Sequence, residues 1–149
     1  MAILQPVVAL LAWTMVIWLW MYATRLPAMS AARIDPDSLA LDPDASLDKL
    51  LSPQVQWKAH NYNHLHEAPT LFYAVALVLA LLHSQTAEAN AVGAGAAVWL
   101  AWVYVAFRVL HSLVQVTINK VLLRFSLFSL SQIALLALIV IAAMGVSNL

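Results

Sequence analysis

The sequence contains no cysteine. That excludes disulfides, thiolate metal sites and any thiol chemistry carried by the protein itself. Charge is scarce too. Charged side chains make up 9% of the 149 residues, against about 25% in ordinary soluble domains. A chain this poor in charge, 64% hydrophobic and with mean hydropathy +0.85, is an integral membrane protein. Its formal net charge is zero, which speaks against nucleic acid as a partner. The stretch from Met1 to Leu10 has no Lys or Arg, so the positive start of a secretory signal is missing. The apolar run there is expected to be a retained transmembrane helix. No internal repeat is evident.

What the chain does have is apolar length. Four spans are expected in a single domain covering 1–149, at about 5–25, 60–83, 91–119 and 125–144. Each is close to the ~20 residues that cross a bilayer core of about 30 Å. The expected fold is therefore all-α, an integral membrane four-helix bundle. Pro69 falls inside the second span and should kink it or remove one hydrogen bond. Gly93, Ala94, Gly95, Ala96 and Ala97 open the third span and would let helices approach closely.

The long polar segment, 26–59, carries Pro27, Pro36, Pro43 and Pro53, a density that argues against one continuous helix. Its Asp-Pro-Asp repeats lack the glycine and terminal Glu of a calcium loop, and two of the aspartates read as helix caps. Arg25, Arg33, Lys49 and Lys58 belong to this segment, and Lys120 and Arg124 to the last connection. The turn at 84–91 and both tails carry no Lys or Arg. The positive-inside rule makes 26–59 a cytoplasmic loop and puts both termini on the non-cytoplasmic side.

Against this apolar background one polar stripe stands out. Tyr104, Arg108, His111, Ser112, Gln115 and Asn119 fall on one face of the third span. A charged side chain at mid-membrane costs about 2.5–3.5 kcal/mol, so the stripe must face protein, water or a ligand rather than lipid. A second face is expected on the polar first half of the second span, from His60, Asn63, His64 and Glu67, flanked by Asn61 and His66. Glu67 would be stabilised as an ion pair with Arg108 or Arg124. Both clusters lie toward the cytoplasmic ends of their helices. Together they read as a bundle pocket lined by Arg, His, Glu, Asn and Gln.

These residues resemble the MAPEG family, the membrane-associated proteins in eicosanoid and glutathione metabolism, and the likeness covers the whole chain. The second-span pattern, close to Asn-x-x-Glu followed by Pro and an aromatic, is met by His64-Leu65-His66-Glu67-Ala68-Pro69-Thr70-Leu71-Phe72, with His64 where Asn is usual. The third-span pattern Arg-x-x-His-Ser/Thr is met by Arg108, His111 and Ser112, and a second Arg near the start of the fourth span by Arg124. Gln115 stands where some members have Tyr. The stretch from Asn61 to Tyr73 also resembles bacterial members, and the resemblance implies a homotrimer in a bacterial inner membrane, with glutathione as cosubstrate between neighbouring subunits on the cytoplasmic side. It implies that Asn61, His64, Glu67, Arg108, His111, Ser112 and Gln115 bind the tripeptide, and that Arg124 faces its sulfur as the catalytic group.

The chemistry is coherent by itself. Glutathione has two carboxylates, for which arginines are suited, and an ammonium, for which Glu67 is suited. A guanidinium beside sulfur favours thiolate. The expected activity is conjugation of glutathione to apolar electrophiles, or reduction of lipid hydroperoxides, with an apolar small-molecule substrate arriving from the lipid bilayer; Trp18, Phe125 and Phe128 are candidate contacts. Two alternatives stand beside it. One is a non-catalytic binder of lipid or glutathione. The other is a membrane oxidoreductase binding metal through His60, His64, Glu67 and His111.

Overall fold

The computed structural model describes residues 2–41, 46–85 and 94–147. The Asp42-Pro43-Asp44 repeat, most of the turn expected at 84–91, and Gly93 lie outside the described residues. Within them the chain forms α1 (Leu4–Ala31), α2 (Pro36–Leu41), α3 (Leu47–Leu50), α4 (Pro53–Glu67), α5 (Thr70–Gln85), α6 (Ala94–Thr117) and α7 (Val121–Ser147), with no strand among them. Four stretches are long and apolar enough to span a membrane: Leu4–Ala31, Pro53–Ser84, Gly95–Thr117 and Val121–Ser147. The second comprises α4 and α5. The architecture is an all-α membrane four-helix bundle.

The first helix continues past Arg25, through Pro27, to Ala31. Pro27 removes one helical hydrogen bond, the one its N–H would make to the Ala23 carbonyl, and the Leu, Ala and Met around it favour helix. The end is closed by two backbone bonds, Arg33 N–H to the Ser30 carbonyl and Ile34 N–H to the Met29 carbonyl, both 3.1 Å. Arg33 takes the left-handed conformation (φ 53°) that such a closure requires. Asp35 then caps α2, its Oδ1 accepting the Asp37 N–H at 3.0 Å, with Pro36 at the first helical position. The short α3 is tied to α4 twice: the Gln56 amide donates to the Leu47 carbonyl, and His60 Nε2 meets Asp48 Oδ1 at 2.9 Å.

Pro69 divides the second span, as its missing N–H requires. The helix stops at Glu67 and resumes at Thr70, whose hydroxyl donates to the Glu67 carbonyl at 2.9 Å. The two halves have different neighbours. α4 packs on α1 and α6, whereas α5 packs chiefly on α7. α6 and α7 form the most extensive helix pair, joined by a turn of three residues, 118–120. Asn119 is in that turn and not on the helical stripe; its φ is 49° and its N–H closes on the Val114 carbonyl at 2.7 Å. Asn tolerates this left-handed geometry better than most residues.

Leu10, Ile17, Leu65, Phe72, Leu79, Tyr104 and Leu138 form the centre of the core. Close helix approach uses Ala97 and Ala101, both fully buried, while Gly95 faces open space. Apolar side chains such as Leu19, Ile133 and Leu136 point outward, which is the arrangement a lipid environment rewards.

Candidate functional site

On α6 the stripe is buried. Arg108 and Ser112 are 0% exposed, His111 3% and Gln115 4%. Large apolar residues of the same helix, Trp102, Leu110 and Leu113, face outward instead. The helix therefore points its polar face inward and its apolar face out, the inverse of a helix in a water-soluble bundle.

On α4 the inward face differs from the one expected. Asn61 and Leu65 are buried and His64 is partly buried, whereas His60, Asn63, His66 and Glu67 are exposed. Leu65 and Ala59 take the core-facing positions of this otherwise polar helix, and their burial sets its rotation. Glu67 therefore turns away from Arg108 and Arg124, and no ion pair joins it to either among the described residues.

The inward residues meet. Arg108 Nη2 donates to His64 Nδ1 at 3.1 Å and lies 3.4 Å from the His64 carbonyl. The Asn61 amide donates to Ser112 Oγ. The His64 and His111 rings stack with centroids 4.9 Å apart. Phe128 of α7 closes this side, 5.7 Å from the His64 centroid and 5.7 Å from the Arg108 guanidinium carbon. Phe128, read from the sequence as a candidate contact for the apolar substrate, thus packs against His64 and Arg108. His111 Nδ1 lies 2.9 Å from the backbone carbonyl of Arg124, and Arg124 Nη1 donates to Asn119 Oδ1 at 2.6 Å. Asn119 thus contributes through the turn it builds and the guanidinium it holds.

Buried polar atoms normally find partners. Here Asn61 Oδ1, Tyr104 Oη, Arg108 Nε and Nη1, His111 Nε2, Gln115 Oε1 and Arg124 Nε have none among the described residues. Tyr104 is fully buried one turn before Arg108, its ring stacked on Phe72 at 4.4 Å. Both guanidiniums lack a carboxylate partner among the described residues, so the site is a cationic cluster with spare donors and acceptors. No group of three or more His, Cys, Asp or Glu side chains comes together among the described residues. His60 Nε2 faces Asp48 Oδ1 at 2.9 Å.

A family model described as the MAPEG family matches residues 3–144, nearly the whole length. The chain belongs to the MAPEG family. No curated protein matches it. Four of the MAPEG pattern positions, His64, Arg108, His111 and Arg124, meet at the contact of α4, α6 and α7. Glu67, another pattern position, is exposed on α4. As a MAPEG member this is a membrane protein of the glutathione and eicosanoid metabolism family.

Proposed function

We propose that this chain binds glutathione at the α4–α6–α7 contact and uses it against apolar electrophiles or lipid hydroperoxides. The observation that carries this reading is the set of buried, unpartnered polar atoms on Asn61, Tyr104, Arg108, His111, Gln115 and Arg124. Leaving such groups without hydrogen bonds costs about 1–3 kcal/mol each, a cost that a ligand of matching polarity removes. The donor set fits the tripeptide. Arg108 offers Nε–H and Nη1–H to a carboxylate, and Asn61 and Gln115 offer carbonyl oxygens to amide or ammonium hydrogens.

Glutathione supplies a thiol, and the protein supplies the environment that ionises it. Arg124 is the candidate for holding the sulfur as thiolate, since Asn119 fixes its Nη1 and leaves its Nε free. Ser112 is held by Asn61 and gives the floor of the site a fixed polar group. Glu67 faces outward from a single chain. In a homotrimer it would face a neighbouring subunit and complete the site for the ammonium group. An apolar groove of about 650 Å³ between α1 and α6, lined by Trp13, Val16, Trp102, Val105 and Val109, lies on the outward face of α6 and offers the apolar partner a place at the lipid side. By the positive-inside rule the site lies toward the cytoplasm and both termini on the far side of a bacterial inner membrane.

The test is calorimetry of glutathione binding to detergent-purified protein, with thiolate absorbance recorded in parallel. Wild type is expected to bind and to show thiolate. Arg124→Ala should keep binding within about tenfold while losing most of the thiolate, equivalent to about 1.4 kcal/mol for each tenfold change. Binding without thiolate in wild type would support the non-catalytic alternative. No binding at millimolar glutathione sinks the reading.

A further inference from the structure

Hydrogen-bond geometry fixes the proton positions on the two stacked imidazoles. Arginine can only donate, so His64 Nδ1, 3.1 Å from Arg108 Nη2, must be an acceptor. The neutral His64 ring then carries its proton on Nε2. The opposite holds for His111. A backbone carbonyl can only accept, so His111 Nδ1, 2.9 Å from the Arg124 carbonyl, carries the proton. The neutral His111 ring is left with a lone pair on Nε2. That atom is buried and has no partner among the described residues.

Gln115, one turn further along α6, interacts with the same imidazole. Its Oε1 is buried and has no donor among the described residues. A proton arriving on His111 Nε2 would satisfy both at once, while Nδ1–H stays on the Arg124 carbonyl. This is the arrangement of a base oriented from behind by one acceptor and relieved in front by another.

Among the described residues the other candidates for a base are engaged or turned outward. The carboxylate of Glu67 is exposed on the far side of α4, His60 is engaged with Asp48, and protonating His64 would place a hydrogen on Nδ1 directly against Arg108. The titratable and charged groups that face His111 are His64 on α4, Arg108 on its own helix and Arg124 on α7. The two arginines oppose a second positive charge there. A bound ligand carrying two carboxylates and a developing thiolate offsets that opposition.

We infer that His111 is the catalytic base of this site, taking the thiol proton on Nε2 and returning it to the product. The inference rests on the glutathione reading above and adds a substrate class to it: electrophiles whose reaction needs a proton back. For an apolar α,β-unsaturated carbonyl compound, the S–H bond breaks, the proton moves to Nε2 and sulfur keeps the electron pair. That pair forms the C–S bond at the β-carbon, and the C=C pair shifts toward the carbonyl. The resulting enolate takes the proton from Nε2 at its α-carbon. Atoms and charge balance with no further reagent. Gln115 is a positioning residue, turning its amide oxygen to the new N–H.

The experiment is proton counting by calorimetry in buffers of different ionisation enthalpy, joined to thiolate absorbance and the pH dependence of addition to an apolar enone. Wild type is expected to form thiolate while releasing almost no proton to buffer, because Nε2 keeps it. His111→Gln retains an amide donor for the Arg124 carbonyl but has no base. At saturating glutathione it should lose about a hundredfold in addition rate, as removal of a general base does, and lose the acid limb of the pH profile. Release of a full proton per thiolate by wild type overturns the inference without any variant, so a His111→Gln chain that fails to fold does not block the test. A variant with unchanged rate and pH profile overturns it too. A variant whose loss lies wholly in binding makes His111 a ligand contact and overturns it likewise. Wild type that does not bind glutathione overturns both readings, whereas binding with a wrong proton count or pH profile overturns only this one.

Discussion

The two ends of the bundle are built to opposite rules. At the α5–α7 end, Leu71, Val75, Val78, Ile139, Ala142 and Val146 line an apolar groove of about 560 Å³, and packing is close enough that a Cβ on Gly145 would come within 2.9 Å of Leu82 Cδ1. At the α4–α6–α7 end, a fully buried arginine keeps two nitrogens without partners. Close packing stabilises the first end, while the second holds polar groups in a state that is unfavourable until something binds. A bundle can carry an incompletely satisfied site because its other half is fully apolar.

The sharpest way to break that contrast is to make the site end apolar as well. Arg108→Met should abolish glutathione binding, by a hundredfold or more. It should also raise the detergent melting temperature, because replacing a poorly paired buried charge by an apolar side chain is often stabilising by about 1–4 kcal/mol. A variant that binds normally, or one that melts much lower, would mean that Arg108 is satisfied by groups within the protein. Calorimetry and thermal unfolding decide it.

A smaller effect separates the turn from the site. Asn119→Ala should cost about 1–2 kcal/mol, since alanine is strained at φ 49°. Asn119→Gly should keep stability and still lower thiolate formation, because Arg124 loses the oxygen that holds Nη1. Equal behaviour of the two variants in both melting and thiolate absorbance would contradict that division. The smallest effect is expected at the Asn61–Ser112 bond. A double-mutant cycle with Asn61→Ala and Ser112→Ala should give a coupling of about 0.6 kcal/mol, the average for hydrogen bonds between membrane helices. A coupling several times larger would mark that pair as the pivot of the site.

Much of this was legible in the residues. Long apolar runs announced the spans, and Arg108, His111, Ser112 and Gln115 share a face because their spacing follows the helical period of about 3.6. Other features were not. Pro27 reads as a stop, yet it removes a single helical hydrogen bond and α1 runs on to Ala31. The spacing of His60, Asn63, His64 and Glu67 defines a face but not where it points. Leu65 and Ala59 decided that by entering the core, which brought Asn61 inward and turned Glu67 out. Asn119 continues the polar periodicity on paper, but the helix ends at Thr117, and that residue's role comes from a backbone conformation no periodicity contains. The opposed protonation of His64 and His111 depends on which atoms face them across helices, a fact about pairs and not about sequence.

The interruption at Pro69 has one more consequence. Because α4 leans on α1 and α6 while α5 leans chiefly on α7, the piece of chain that presents Asn61, His64 and Glu67 meets the piece that anchors it at a joint where Pro69 withholds a hydrogen bond and the Thr70 hydroxyl reaches back to the Glu67 carbonyl. Changes on one side of that joint need not be answered on the other. The scaffold is therefore modular within a single transmembrane crossing, so α4 can be rewritten for a different ligand while α5 goes on holding the bundle in the bilayer.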